Sequence, residues 1–425
     1  MAIATPKTYR NQVVYSVFVR NYSQEGTFEA LRKDLDRIRA LGVDVIWLMP
    51  IHPIGRKARK GSVGSPYAIA DFRKVNPDMG TLEDLKRLVA DIHDRGMKCI
   101  IDVVYNHTSP DSWLAQHHPE WFYHKPDGSF GNRVGDWHDI IDLDYNQPGL
   151  WDYQIETLKQ WAAVVDGFRC DVAPLIPLEF WLRARAEVEQ VRPGCIWLAE
   201  TVEPNFITYL RSQGMVAHSD CEAFQAFDIS YEYDIFHVFR SYLKGEAPLS
   251  AYAQAINQQE SLFPDNYVKL RFLENHDRAR ARLGIPEEIP LRNWTAFLYF
   301  QKGMTLLFNG QEVGAAHLPA LFEKDPINWQ GDLDLSELMA KLYEIKQDPL
   351  LADSSYHVEA LPRNILLAEH KKGADRMIGI FSVRGESSLV RVDLPDGTYE
   401  NLLGGSVDVF EGCLGMRGEP ILIRV

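Results

Sequence analysis

The sequence is short of cysteine and of positive charge, and it has no long apolar run. The five cysteines among 425 residues are odd in number. None is in C-x-x-C spacing, and Cys99, Cys170 and Cys195 sit inside apolar runs, which excludes a disulfide framework or a zinc ribbon. Free thiols in a reducing compartment are expected. Lys and Arg total 45 against 59 Asp and Glu, a formal charge of -14. That balance argues against a nucleic-acid partner and fits a neutral ligand. No run of 18 apolar residues occurs, so no membrane partner is expected. The opening "MAIATPKTYRNQVVYS" carries no apolar signal segment, and a cytoplasmic location is expected. No glycine-rich phosphate loop follows the first apolar segment, and no internal repeat is evident. Oligomeric state is left open.

What is present is a core and a rhythm. Hydrophobic residues make up 46% of the chain, and ten Trp and eighteen Tyr supply rings that pack cores or stack on sugars. Strand-like segments are 12–19, 43–50, 97–107, 165–173, 195–201, 222–229, 267–277 and 304–310. Helical patterns such as 27–42, 81–96 and 177–191 lie between them, the first closed by Gly42 and the second opened by Thr81. Near-continuous apolar strands alternating with helices predict a parallel sheet covered on its outer face. Eight such strands predict a closed (β/α)₈ TIM barrel, with a doubly wound open sheet as the alternative. The barrel is expected over 1–107 and 151–351. Residues 108–150, rich in Pro, Gly, His and Trp, read as an insertion after the third strand. From 352 to 425 short alternating segments with turn signals predict a C-terminal antiparallel β-sandwich domain.

In such barrels chemistry gathers where strands end. Here the third strand ends in Asp102, Asn106 and His107, the fourth in Arg169 and Asp171, the fifth in Glu200, and the seventh in Glu274, Asn275, His276 and Asp277. Three or more carboxylates would face one pocket. Paired carboxylates are what glycoside hydrolysis needs, one ionised to attack and one protonated to supply a proton to the leaving oxygen. Arg169 and Asp171 share a face by strand alternation, so the guanidinium would hold Asp171 ionised. Cys170 would point into packing. Each residue alone also fits a structural ion pair or a turn; the signal lies in the constellation.

The chain resembles, along essentially its whole length, the α-amylase superfamily of retaining α-glucan-active glycoside hydrolases and transglycosylases. The motifs are "DVVYNHT" (102–108), "GFRCDVA" (167–173), "LAE" (198–200) and "ENHD" (274–277), with weaker landmarks at 64–81 and 142–148. The resemblance implies Asp171 as nucleophile, Glu200 as general acid/base and Asp277 as third carboxylate. It implies that His107 and His276 hydrogen-bond the sugar, that Tyr67 stacks beneath it, and that Arg169 orients Asp171. Asp102 would hold the strand end. The insertion matches the family's B domain and the C-terminal unit its C domain.

Departures narrow the substrate. Pro174 and Leu175 stand where many α-amylases carry Lys-His, and Val172 also occurs in α-1,6-acting and neopullulanase-like relatives. Ala68 follows Tyr67 where exo-glucosidases have an aspartate. A hydrolase of α-1,4-linked glucans that is endo-acting or processes maltooligosaccharides is expected, with a transglycosylase or α-1,6-acting hydrolase as alternatives. A non-catalytic carbohydrate-binding protein is a remote one, because all three carboxylates are intact. No cofactor is expected to be required. Asn106 and Asp144 match positions that ligate a structural calcium in relatives, although Leu175 replaces a contributing histidine there.

Overall fold

The computed structural model describes residues 4–134 and 137–425. Residues 1–3 of the expected barrel segment and 135–136 of the expected insertion lie outside the described residues.

Eight parallel strands close into a barrel: β1 (Val13–Val17), β2 (Val45–Leu48), β3 (Lys98–Val103), β4 (Gly167–Cys170), β5 (Ile196–Ala199), β6 (Ile229–Tyr231), β7 (Lys269–Arg271) and β8 (Met304–Phe308). Each pairs with its sequence neighbours, and β8 returns to β1. The expected TIM barrel is the observed fold. Its strands are buried on both faces, as helices on the outside and side chains on the inside require. Gly167 opens β4 because a Cβ there would lie 2.4 Å from the Ile196 carbonyl oxygen. That close approach sets β4 tightly against β5, with Cys170 opposite Ala199 and Arg169 opposite Asp102 on the other side.

Helix starts follow their caps. Thr81 accepts from the Asp84 amide while the Asp84 carboxylate accepts from Thr81, a closed capping box. Two expectations are corrected. The 27–42 pattern forms two short helices, Phe28–Arg32 and Leu35–Ala40. The sixth strand is not at 222–229: Ser219 and Glu222 make a capping box that starts a helical turn at Asp220–Ala223, and pairing begins only at Ile229. Short apolar runs such as 223–227 fit either period, and here the local cap decides.

After β3 the chain leaves the barrel in a segment whose strands His107–Thr108 and Ile141–Asp142 pair antiparallel. After the barrel come two four-stranded antiparallel sheets built from strands between Ser355 and Arg424. Ile365, Ile378, Ile380, Val390, Leu414 and Ile421 form the apolar layer of this unit. The other face of its first sheet, through Tyr356, Leu366, Met377 and Phe381, joins the barrel core, where Phe381 meets Phe297 edge-on at 5.2 Å. The five cysteines are free, with Cys99, Cys170 and Cys195 buried. Among the described residues no helix is long and apolar enough to cross a membrane.

Candidate active site

A cavity of about 620 Å³ opens at the C-terminal rim of the barrel, and Asp171, Glu200, Asp277, Tyr67 and His107 line it. Behind Asp171 and Glu200 lies Arg169, whose side chain is fully buried. Nη1 donates to Asp102 Oδ1 and to Asp171 Oδ1, each at 2.9 Å. Nη2 lies 2.8 Å from Glu200 Oε1, an ion pair without hydrogen-bond alignment. Strand geometry explains the convergence: Asp102 and Arg169 are register partners, Asp171 is the first residue beyond β4, and Glu200 the first beyond β5. The guanidinium also sits 5.0 Å from the Trp47 ring centroid, so its remaining surface rests on an aromatic face.

One cation among three buried carboxylates does not neutralise them. Burial raises the Asp171 carboxyl to about 6 against the opposing pull of Arg169. Burial likewise raises Glu200 to about 7 and Asp102 to about 6. Arg169 pulls the Asp171 carboxyl toward its ionised form, while burial opposes it and Asp102 and Glu200 share the same guanidinium. Both carboxyls meet the one guanidinium, so they titrate as a pair. Asp277 differs, with a side chain 40% open to the cavity. Burial works against its charge, but His276, with Nε2 3.0 Å away, outweighs it and holds the carboxyl well below its usual range.

Tyr67 stacks on His276 at 5.5 Å, and its hydroxyl lies 2.6 Å from His276 Nε2 and 3.2 Å from Asp102 Oδ2. His107 is buried, which lowers its pKa, and its ring lies 5.9 Å from that of Trp137. All seven residues singled out in the sequence thus meet at one rim. Glu274 does not join them: it accepts from Arg280 at 2.6 Å, out of the cavity. Cys170 is fully buried, with its thiol pushed well up by burial, and is no nucleophile.

The backbone after Asp171 is unusual. Val172 has φ 37 and ψ 42, left-handed values that a β-branched residue rarely takes. The turn aims its amide at Glu200 Oε2, 2.9 Å away. The cavity is further lined by Lys60, Trp137, Asp139, Glu203, Phe206, Tyr233, Arg278 and Phe322, which the sequence reading missed. Arg278, next to "ENHD", was the traceable one; it pairs with Glu203 at 2.9 Å. Phe206 and Tyr233 lie in the first turns of helices Pro204–Ser212 and Tyr233–Leu243, and the rest lie on loops without periodicity.

The residues placed for calcium do not fit that ion. The Arg133 guanidinium stands among them, 3.6 Å from Asp144 Oδ1 and donating to the Leu143 carbonyl at 3.2 Å, while its amide donates to Asp142 Oδ2 at 2.7 Å. Asp144 Oδ1 also accepts from Asn146 at 2.8 Å. A divalent ion seeking six to eight oxygens would meet a cation already in place. Among the described residues no group of three or more His, Cys, Asp or Glu is arranged to hold a metal.

A closed parallel barrel whose rim joins three carboxylates around one buried arginine defines a (β/α)₈ barrel of glycoside-hydrolase type. Residues 12–352 match the family model for the alpha amylase catalytic domain, and 357–423 match that for the bacterial alpha amylase C-terminal domain. The chain belongs to the alpha-amylase family. It superposes on the crystal structure of an alpha-amylase from Lactobacillus plantarum with TM-score 0.97 and 46% identity, covering 99% of this chain and 100% of that one. A noncanonic maltogenic alpha-amylase from Thermotoga neapolitana gives TM-score 0.87 and 30% identity, covering 98% and 99%. The alpha-amylase of Haloarcula japonica is 26% identical over 92% of this chain. An alpha-1,4-glucan:maltose-1-phosphate maltosyltransferase of Rhodospirillum rubrum is 28% identical over 76% of it. The chain spans 58% and 48% of the length of these two curated relatives.

Proposed function

We propose that the protein is a retaining hydrolase of α-1,4-linked glucans, cutting starch-type chains or maltooligosaccharides. Asp171 attacks the anomeric carbon while Glu200 protonates the departing glycosidic oxygen. Glu200, now ionised, takes a proton from water, which attacks the glycosyl–Asp171 ester and releases the sugar with its configuration kept. Asp277 binds sugar hydroxyls and carries negative charge beside the oxocarbenium-like centre. Tyr67 offers a ring face to the sugar, and His107 and His276 offer hydrogen bonds. The observation that carries this reading is the single Arg169 guanidinium touching both Asp171 and Glu200. The test is proton NMR of freshly cleaved maltooligosaccharide: the α-anomer is expected first, and initial β-anomer would overturn the mechanism.

The maltosyltransferase relatives favour a second reading, transfer of the same glycosyl intermediate to a sugar acceptor. Incubation with maltotriose separates them. Glucose and maltose support hydrolysis, and chains longer than the substrate support transfer.

The Arg133 position supports a further reading, that the fold needs no structural calcium. A chelator is expected to leave the thermal midpoint within about 1 °C, and Arg133→Met lowers it by about 1–2 °C, the scale of losing a partly exposed ion pair and one hydrogen bond. Melting curves with and without chelator check this; a large chelator effect on the unmodified chain would overturn it.

A further inference from the structure

The barrel order tells which end of the cavity is which. In the α-glucan reading, on which this inference rests, the leaving sugar lies on the side of Glu200. The loops after β4 and β5 form that side, with Val172, Glu203 and Phe206 in the lining. The sugar chain that ends on Asp171 lies on the other side, against the loops after β8, β2 and β3. These three loops are fastened to one another.

The β2 and β8 loops are zipped along their backbones. Val63 and Gly64 amides donate to the Phe322 carbonyl at 3.1 and 3.2 Å, and the Ser62 amide donates to Glu323 Oε1 at 3.0 Å. Arg20 Nη1 adds a bond to the Gly64 carbonyl at 2.9 Å, and its Nη2 donates to the Leu321 carbonyl. Gly61 permits the approach: at φ +63, a Cβ there would lie 2.6 Å from the Phe322 carbonyl oxygen. The third loop, the insertion, joins through Asp139. Its carboxylate is 2.8 Å from Lys60 Nζ and only 6% exposed, and Lys60 Nζ also lies 5.7 Å from the Phe322 ring centroid. Lys60, Asp139 and Phe322 all line the cavity that holds Asp171.

A site that cuts inside a long chain needs a cleft open at both ends. Here Lys60, Asp139 and Phe322 brace the side of the cavity formed by the loops after β2, β3 and β8, the side that the glucan beyond Asp171 would occupy. We propose that the Lys60–Asp139 pair, backed by Phe322, is a stop for the non-reducing end of the glucan. Substrate enters end-first until its terminal ring meets the pair. Every cut then releases a product of one short length, set by the distance from the stop to Asp171.

The test is maltoheptaose with and without a 4,6-ethylidene cap on its non-reducing ring, followed by chromatography. The unmodified chain is expected to cleave the uncapped sugar at least tenfold faster and to give one dominant short product. Lys60→Met and Asp139→Asn, each removing one partner of the pair, are expected to bring the ratio below threefold and to lengthen the products. Lys60 is the more exposed of the two, so Lys60→Met remains readable if Asp139→Asn fails to fold. Equal rates on capped and uncapped sugar in the unmodified chain, or an unchanged ratio in the folded variants, would overturn the stop. Absence of turnover on both sugars would overturn the α-glucan reading itself and this inference with it.

Discussion

Asp171→Asn is expected to lower kcat/KM on maltooligosaccharides by about 10⁴-fold or more, the scale on which enzymes lose a covalent nucleophile. The amide keeps the shape of the carboxylate and can still accept from Arg169 Nη1, now 2.9 Å from Asp171 Oδ1, so unfolding curves should change little. Glu200→Gln is expected to cost about 10²–10⁴-fold, the range for losing a general acid. The two differ in pH dependence. Turnover needs Asp171 ionised and Glu200 protonated, and burial places them at about 6 and about 7. Rate should therefore rise as pH climbs through the first value and fall through the second, a narrow bell belonging to the pair. Residual activity of Glu200→Gln should keep the acid limb and lose the alkaline one. Near-normal turnover in either variant, or an alkaline limb surviving in Glu200→Gln, would remove the assigned role.

Arg169→Met is expected to damage stability and chemistry together. It removes the cation nearest Asp102, Asp171 and Glu200, of which Asp102 is fully buried. Stranding buried charge typically costs about 3–5 kcal/mol. The site escapes part of this by protonating, so Asp171 titrates higher and the acid limb of the rate profile moves upward. At neutral pH less of the nucleophile is ionised, and activity should fall by about 10²–10³-fold, the scale of losing a preorganised electrostatic partner. Arg169→Lys restores one charge but not the fork that reaches two carboxylates at once, so it should recover stability more than rate. Denaturant unfolding and pH–rate profiles measure both. An acid limb that stays in place in a folded Arg169→Met would show that the guanidinium does not set the titration of Asp171.

The barrel and its rim were legible because both obey local rules. β2 and β5 are unbroken runs of buried apolar residues, β1 and β8 nearly so, and β3 and β4 carry Asp102 and Arg169 inside such runs, so a polar residue in or just past one is visible without coordinates. Asp171 and Glu200 stand out in this way. The sixth strand misled because residues 222–229 mix apolar residues with Glu222, Gln225 and Asp228 in no decisive period, and the Ser219–Glu222 cap settled their conformation. Alternation reveals that Arg169 shares a face with Asp171 but not that Asp102 and Glu200 meet the same guanidinium. Lys60, Asp139 and Arg133 were invisible for a different reason. Lys60 and Asp139 act through each other across 79 positions, and Arg133 acts through Leu143 and Asp144 in an insertion with little regular structure.

The contact between Val172 and Glu200 is made by the peptide amide, not by the isopropyl group. For an evolving or engineered lineage this divides the rim into two kinds of position. Asp102, Asp171 and Glu200 all meet the one Arg169 guanidinium, so loss of that arginine strands the charge of the rest. At position 172 the hydrogen bond survives any side chain that tolerates the left-handed turn, and glycine or asparagine would even relieve it. Variation in what the cavity wall offers a substrate can therefore accumulate beside the nucleophile, one residue from a position that cannot vary.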